Sequence, residues 1–246
     1  MNLQDKVVLI TGSRRIGVAV AGALAENGAH ISLSYRHSEN DLAHTLENVR
    51  EHNRQAVMIQ ADLSDPAACR RLVDTTVTKL GRLDALINMA SNYVEKSFKE
   101  LTDSDLDVAL DVDLKAAYVC TLAAVPHLRA SGGGHIINFS DWVASSGRPR
   151  YQGFLPYYVA KCAILGLTEA TALELAGDGI FVNAIAPGPI RRPSGMGETE
   201  AMQVVQATPL GRWGGDQAVA DAVLGLLRSN FVTGETIRVD GGRHLR

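Results

Sequence analysis

Strand-like and helix-like segments alternate along the whole of this 246-residue chain, and that alternation restricts the fold more than any single motif. The run Lys6–Thr11 (KVVLIT) is short and β-branched, as suits a strand buried on both faces. Ile16–Asn27 follows as a helix with Ile16, Ala19, Val20, Ala23 and Leu24 on one face, and Gly28 stands where a left-handed cap would stop it. Strand His30–Tyr35, helix Asp41–Asn53 and strand Ala56–Gln60 repeat the pattern. Asp65-Pro66 then opens a helix with the acid at its N-cap and proline in the first turn. Strand Ala85–Asn88, a long helix Thr102–Ala130 bent near Pro126, strand His135–Phe139 and helix Pro156–Ala176 come next. Strand Ile180–Ala186, helix Asp216–Arg228 and strand Thr236–Val239 complete the chain.

Short strand–helix–strand connections require right-handed crossovers. The expected fold is therefore α/β: a doubly wound, Rossmann-like parallel sheet of about seven strands with helices on both faces. No linker, repeat or low-complexity stretch divides the sequence, so residues 1–246 read as one domain. The chain has 24 basic against 27 acidic residues, net −3, which excludes a nucleic-acid binder relying on overall basicity. It shows neither the order of a signal peptide nor an apolar run long enough to span a bilayer, so the expectation is a cytoplasmic protein without a membrane partner. Cys69, Cys120 and Cys162 lie far apart with no C-x-x-C, and the histidines form no i,i+4 pair, so neither a disulfide framework nor a metal is expected. In open parallel sheets, ligands bind outside the carboxyl ends of the strands. The irregular stretches Ser140–Leu155 and Gly188–Gly215 both follow strands, so they should border the site, the second as a lid.

The first strand runs into Thr11-Gly12-Ser13-Arg14-Arg15-Ile16-Gly17 and then a helix. Glycines there let the backbone approach a pyrophosphate, and the helix N-terminus offers free N–H donors. The plainer alternative is a turn that Gly12 and Gly17 merely shape. An NAD site usually puts a carboxylate at the end of the second strand, whereas this chain has Tyr35-Arg36-His37-Ser38. Arg36, with Arg14 or Arg15 across the cleft, would clamp a 2′-phosphate, which favours NADP(H) over NAD(H). At the other end, Tyr157 and Lys161 stand four apart on the helix after the fifth strand and share a face. An ammonium beside a phenol is expected to lower the tyrosine pKa and make it a usable proton donor and acceptor.

These residues resemble the short-chain dehydrogenases/reductases. The match includes Thr11-Gly12…Ile16-Gly17, Asp62-Leu63, Asn88-Met89-Ala90-Ser91, Tyr157-x-x-x-Lys161, Asn183-Ala184-Ile185-Ala186-Pro187-Gly188 and Val239-Asp240-Gly241-Gly242. The resemblance implies hydride transfer with a nicotinamide, with Tyr157 passing the proton and Lys161 orienting the ribose. It implies that Asp62 meets the adenine and that Leu63, Asn88, Ala90, Ser140, Pro187, Gly188 and Ile190 complete the cofactor site. It also implies a homotetramer built through the long helix and the Pro156–Ala176 helix, with a C-terminal tail that reaches a neighbouring site.

The chain departs from the family pattern at several points. The glycine turn is one residue shorter, with Arg15 at the middle glycine. Asp141 takes the position of the substrate-binding serine and lies further from Tyr157 than usual. Asp113 replaces the proton-relay asparagine, and Arg192 replaces a threonine that touches the carboxamide. Arginine in the turn, Tyr35-Arg36, Ala90-Ser91-Asn92-Tyr93 and Asp141 resemble the pteridine reductases of the family, and the ending Asp240-Gly-Gly-Arg-His-Leu-Arg246 resembles their dihydromonapterin-reducing members. That resemblance implies Tyr93 stacked on a pterin and Asp141 bonded to its ring or acting with Tyr157. A loop aromatic packed on the surface and a carboxylate capping a turn are the plainer readings of Tyr93 and Asp141. The leading expectation is an NADPH-dependent reductase of a pterin-like C=N bond. The alternatives are reduction of a 3-oxoacyl or small ketone, a non-catalytic NADP(H)-binding sensor, and an α/β methyltransferase, which would leave Tyr157 and Lys161 unexplained.

Overall fold

A computed structural model of the chain describes residues 1–12, 15–37 and 40–246, with backbone alone at 40–42. Seven parallel strands form one sheet: β1 (Val7–Thr11), β2 (His30–Tyr35), β3 (Ala56–Gln60), β4 (Ala85–Asn88), β5 (Gly134–Phe139), β6 (Ile180–Pro187) and β7 (Thr236–Val239). Their order is β3-β2-β1-β4-β5-β6-β7, so the chain reverses direction across the sheet between β1 and β4. The helices are α1 (Ile16–Glu26), α2 (Asn40–Glu51), α3 (Pro66–Leu80), α4 (Asp103–Ala109), α5 (Ala116–Ala130), α6 (Trp142–Ser145), α7 (Leu155–Leu175), α8 (Glu198–Ala207) and α9 (Asp216–Arg228).

Alternation along the strands feeds two cores. In β1, Val8 and Ile10 join Ile31, Leu24 and Val223 on the side of α1, α2 and α9. Val7 and Leu9 join Leu72, Cys120, Leu128 and Val182 on the side of α3, α5 and α7. Such two-sided burial is why β1 and β4 read as unbroken apolar runs. Asp65 caps α3 as expected, its Oδ1 accepting from the Ala67 N–H at 2.8 Å, with proline following. Among the described residues no helix is long and apolar enough to cross a membrane.

Two expectations need correction. The stretch 102–130 is not one helix bent near Pro126, which lies within α5. It is interrupted by a π-helical turn at Leu110–Lys115, and such wide turns commonly occur at functional sites. The stretch 188–215 is not wholly irregular but contains α8, and 140–155 contains α6. Cys69 and Cys120, distant in sequence, interact through their thiols in the core between α3 and α5, and all three cysteines are free.

Candidate active site

The carboxyl ends of the central strands open onto a cleft of about 1620 Å³. Ordinary small-molecule pockets hold roughly 300–1,000 Å³, so this one has room for two ligands end to end. Both segments expected to border the site do so, through Ser140–Trp142 and Arg150–Gln152 on one side and Gly188–Ser194 on the other.

At its centre the Tyr157 hydroxyl donates to Asp141 Oδ2 at 2.9 Å. The other carboxylate oxygen of Asp141 accepts from the Val143 N–H at 2.8 Å and caps α6, so the plain capping reading holds alongside the contact with the phenol. The longer spacing between the two residues is absorbed by α6 and the loop after it, and it does not separate them. Burial holds the Asp141 carboxyl above its ordinary range, against the lowering from Val143, Tyr157 and Lys161.

The expected lowering of the Tyr157 pKa is not found. Burial, then the Asp141 carboxylate, raises the phenol well above its usual value. The physical reason is that Lys161 is already neutralised. Its Nζ lies 3.0 Å from Asp113 Oδ1, donates to the Phe139 carbonyl at 2.9 Å and sits 5.5 Å from the centre of the Tyr157 ring. Both ends of this ion pair are inside the protein, with side-chain exposures of 3% and 0%. Asp113 comes from the π-helical turn and also accepts from the Ser91 hydroxyl at 2.5 Å and the Asn92 N–H at 2.9 Å. It thereby ties the loop after β4 to α7.

That loop presents Tyr93, whose ring stacks on Phe154 at 4.4 Å and meets the Tyr157 ring edge-on at 4.8 Å. Tyr93 remains 54% exposed and lines the cleft, packed on Phe154, so the plain reading of a loop aromatic packed on the surface stands beside a ligand-facing one.

At the other end, Arg15 and Ile16 begin α1 on the cleft wall. Arg15 supplies no side-chain cap, has φ +55°, and no acid occupies the first turn of the helix. Among the described residues no side chain caps this end, and the Val18 N–H is bonded to the Arg15 carbonyl at 3.1 Å, so an anion suits the remaining N–H groups. Gly12 is required for a reason other than ligand approach. Its φ is +66°, and a Cβ would lie 2.5 Å from Ala90 Cα, so the turn after β1 packs directly on the backbone after β4. Gly188 is similar, its Cβ falling 2.5 Å from that of Asp240.

Tyr35, Arg36, His37, Asp62, Leu63, Ala90, Pro187 and Ile190 also line the cleft. Ser140 does too, but its hydroxyl donates to the Lys161 carbonyl at 2.8 Å. Arg36 pairs with Asp62 at 3.1 Å rather than standing with Arg15 alone. Ser13, Arg14 and Ser38 lie outside the described residues. Gly17, buried in α1, and Asn88, bonded to Asn138 at 2.9 Å, do not reach the cleft surface. Arg192 lines the cleft with its guanidinium paired to Glu198.

Four cleft residues escaped sequence reasoning: Tyr151, Phe154, Arg150 and Arg243. They sit on irregular backbone with no periodicity to read. The C-terminal tail, expected at a neighbouring site, lines this chain's own cleft through Arg243 and Arg246.

A parallel sheet whose carboxyl edge gathers an uncapped helix N-terminus at one end and a buried tyrosine–lysine–aspartate cluster at the other defines a Rossmann-type oxidoreductase. A family model described as enoyl-(acyl carrier protein) reductase matches residues 10–244. The 3-oxoacyl-[acyl-carrier-protein] reductase FabG of Staphylococcus aureus is 31% identical over 245 residues, covering 98% of each chain. The (2S)-[(R)-hydroxy(phenyl)methyl]succinyl-CoA dehydrogenase subunit BbsD of Thauera aromatica is 32% identical, covering 100% of this chain and 99% of that one. The crystal structure of a short-chain dehydrogenase from Burkholderia cenocepacia in complex with NADP superposes with a TM-score of 0.91 at 31% identity and 99% coverage of both. The chain belongs to the short-chain dehydrogenase/reductase family of oxidoreductases.

Proposed function

We propose that the chain is an NADPH-dependent reductase that reduces the C=N bond of a flat, pterin-like heterocycle, with Tyr157 as proton donor. The observation that carries this reading is the hydrogen bond between the Tyr157 hydroxyl and the half-buried Asp141 carboxyl. Beside a proton donor, a carboxyl whose pKa burial holds above its ordinary range is a second source of the proton. It suits a ring nitrogen that gains a proton. The aromatic wall of Tyr93 and Phe154 suits the face of such a ring.

The nucleotide end fits the cofactor. Arg15, and Arg36 paired with Asp62, stand where an NAD site would carry a lone carboxylate, and the α1 N-terminus lies on the cleft wall where a pyrophosphate would meet it. NADPH, when bound, supplies the hydride to the carbon of the C=N bond. As that bond's π electrons move to nitrogen, the Tyr157 hydroxyl gives the nitrogen its proton. Asp141, in the protonated form that burial favours, donates to the phenolate left behind and is itself reprotonated from solvent. Lys161, held by Asp113 and the Phe139 carbonyl, keeps an N–H for a ribose hydroxyl. Asp113 acts through Lys161 and the Ser91–Asn92 loop as a positioning residue.

A second reading, reduction of a 3-oxoacyl or other small ketone, is favoured by the likeness to the 3-oxoacyl-[acyl-carrier-protein] reductase. NADPH oxidation with dihydropterins set against acetoacetyl thioesters separates the two. Turnover of the pterin with an inert thioester is the expected result, and the reverse overturns the C=N reading. NADPH binding with no turnover of either class would point instead to a non-catalytic sensor. The working form is a homotetramer built on α5 and α7, whose Tyr118, Leu122, Val159 and Leu173 stand exposed. Sedimentation tests it.

A further inference from the structure

The cleft carries a second cluster that hydride and proton transfer leave unused. Arg150, Arg243 and Arg246 line it beside Trp142. The guanidiniums of Arg150 and Arg243 lie over the Trp142 ring, at 5.5 and 5.6 Å from its centre. Trp142 follows Asp141 directly, so the cluster adjoins the proton-donor pair.

Three of the seven arginines that line the cleft are paired. Arg36 holds Asp62, Arg191 holds Asp216 and Arg192 holds Glu198. The Arg243 and Arg246 side chains have no ion pair among the described residues, although Glu95 and Glu200 line the same cleft. The hydrogen bonds of the three guanidiniums go to main-chain oxygens, of which that of Arg246, the last residue of the sequence, is a carboxylate oxygen. Arg150 donates to His244 at 3.1 Å and to Arg246, Arg243 to Ala207 at 2.7 Å, and Arg246 to Gln206 at 3.1 Å. These bonds fasten the tail to the end of α8 and fix three forks in place, and the single carboxylate among them leaves the cluster with net positive charge. The Arg150 Nε is buried with no partner. Burial, and then Arg150 and Arg246, weakens the hold of Arg243 on its proton, the mark of like charges gathered out of water.

We propose that Arg150, Arg243 and Arg246 form a recognition subsite for an oxyanion, a carboxylate or phosphate, carried by the substrate at the end remote from the bond that is reduced. Planar forks match both groups through paired charge-assisted hydrogen bonds, and the Trp142 face keeps two of the forks aligned. The inference rests on the reductase reading for its word substrate, and the test separates the two.

Calorimetry with benzoate and with phenyl phosphate, in saturating NADP⁺ to fill the nucleotide end, reads the subsite without turnover. The two probes distinguish the carboxylate from the phosphate. At least one should bind saturably, and its Kd should weaken about tenfold or more in Arg246→Gln and in Arg243→Gln, one charge-assisted bond being worth at least that factor. Melting curves of each variant show that it folds, and the exposed Arg246 serves if Arg243→Gln does not. In turnover, a substrate carrying the anion should exceed its neutral counterpart through KM, and that preference should shrink in the variants and with added salt. Failure of both probes to bind, or binding that folded variants retain unchanged, overturns the subsite even if NADPH is turned over. Arginine-dependent binding without turnover of any compound upholds the subsite and overturns the reductase reading.

Discussion

Removing the Asp113 carboxylate tests the frame that holds the site. In Asp113→Ala the Lys161 ammonium, 3% exposed, loses its counter-charge, and the Ser91 hydroxyl and Asn92 N–H lose their acceptor. Breaking a buried ion pair by deleting one partner costs about 3–5 kcal/mol, because the other charge stays buried and uncompensated. In a chain of this size each kcal/mol moves the midpoint by about 2–4 °C, so Tm should fall by about 6–20 °C. Circular-dichroism melting at neutral pH measures it. Two further variants separate charge from packing. Asp113→Asn keeps an acceptor for the Asn92 N–H and should lose less. Asp113→Leu combined with Lys161→Met leaves no buried charge and should recover much of the loss, since apolar replacement of a buried pair is often neutral. An Asp113→Ala midpoint at the wild-type value, or a double variant that falls by the sum of its singles, would refute the reasoning.

Asp141 is held above its ordinary pKa, so the fold favours its protonated form, and the associated stability is present below the unfolded carboxylate range and lost as pH rises through the folded pKa. Asp141→Asn, permanently neutral, should therefore melt higher than wild type at about pH 7.5 and match it near about pH 4; a constant margin would count against this. Arg36→Ala should narrow the NADPH-over-NADH ratio of kcat/KM by about 10–100-fold, the range of one or two hydrogen bonds to a charged group, and an unchanged ratio would remove Arg36 from the phosphate site. Gly12→Ala places a methyl 2.5 Å from Ala90 Cα at a positive φ and should cost about 2–5 kcal/mol, read as lost Tm or soluble yield; a wild-type melt would show that the turn yields.

The strand frame was legible because β1 and β4, buried on both faces, write themselves as apolar runs and the other strands alternate with helical segments, so that the bounds of β2, β3, β4 and β7 follow directly. The π-helical turn at 110–115 was not, because its residues remain helical in composition and the widening depends on where Asp113 meets Lys161. Helix α8 was hidden by the glycines around it. Tyr157, Lys161 and Asp141 were legible as residue types at their places along the chain. Their electrostatics were not, since a lysine four residues on says nothing of the carboxylate from another helix that neutralises it. The arginines at 150, 243 and 246 lie on loop and tail, and only folding brings them together.

The claim on which the rest depends is that Tyr157 hands a proton to the reduced substrate. Steady-state NADPH oxidation by Tyr157→Phe tests it most directly, with a dihydropterin and a keto-thioester as substrates and the wild type alongside. General acid catalysis contributes about 100- to 10,000-fold, so kcat/KM should fall by at least about 100-fold on whichever substrate the wild type reduces. A Tyr157→Phe protein that reduces that substrate at the wild-type rate would contradict the account.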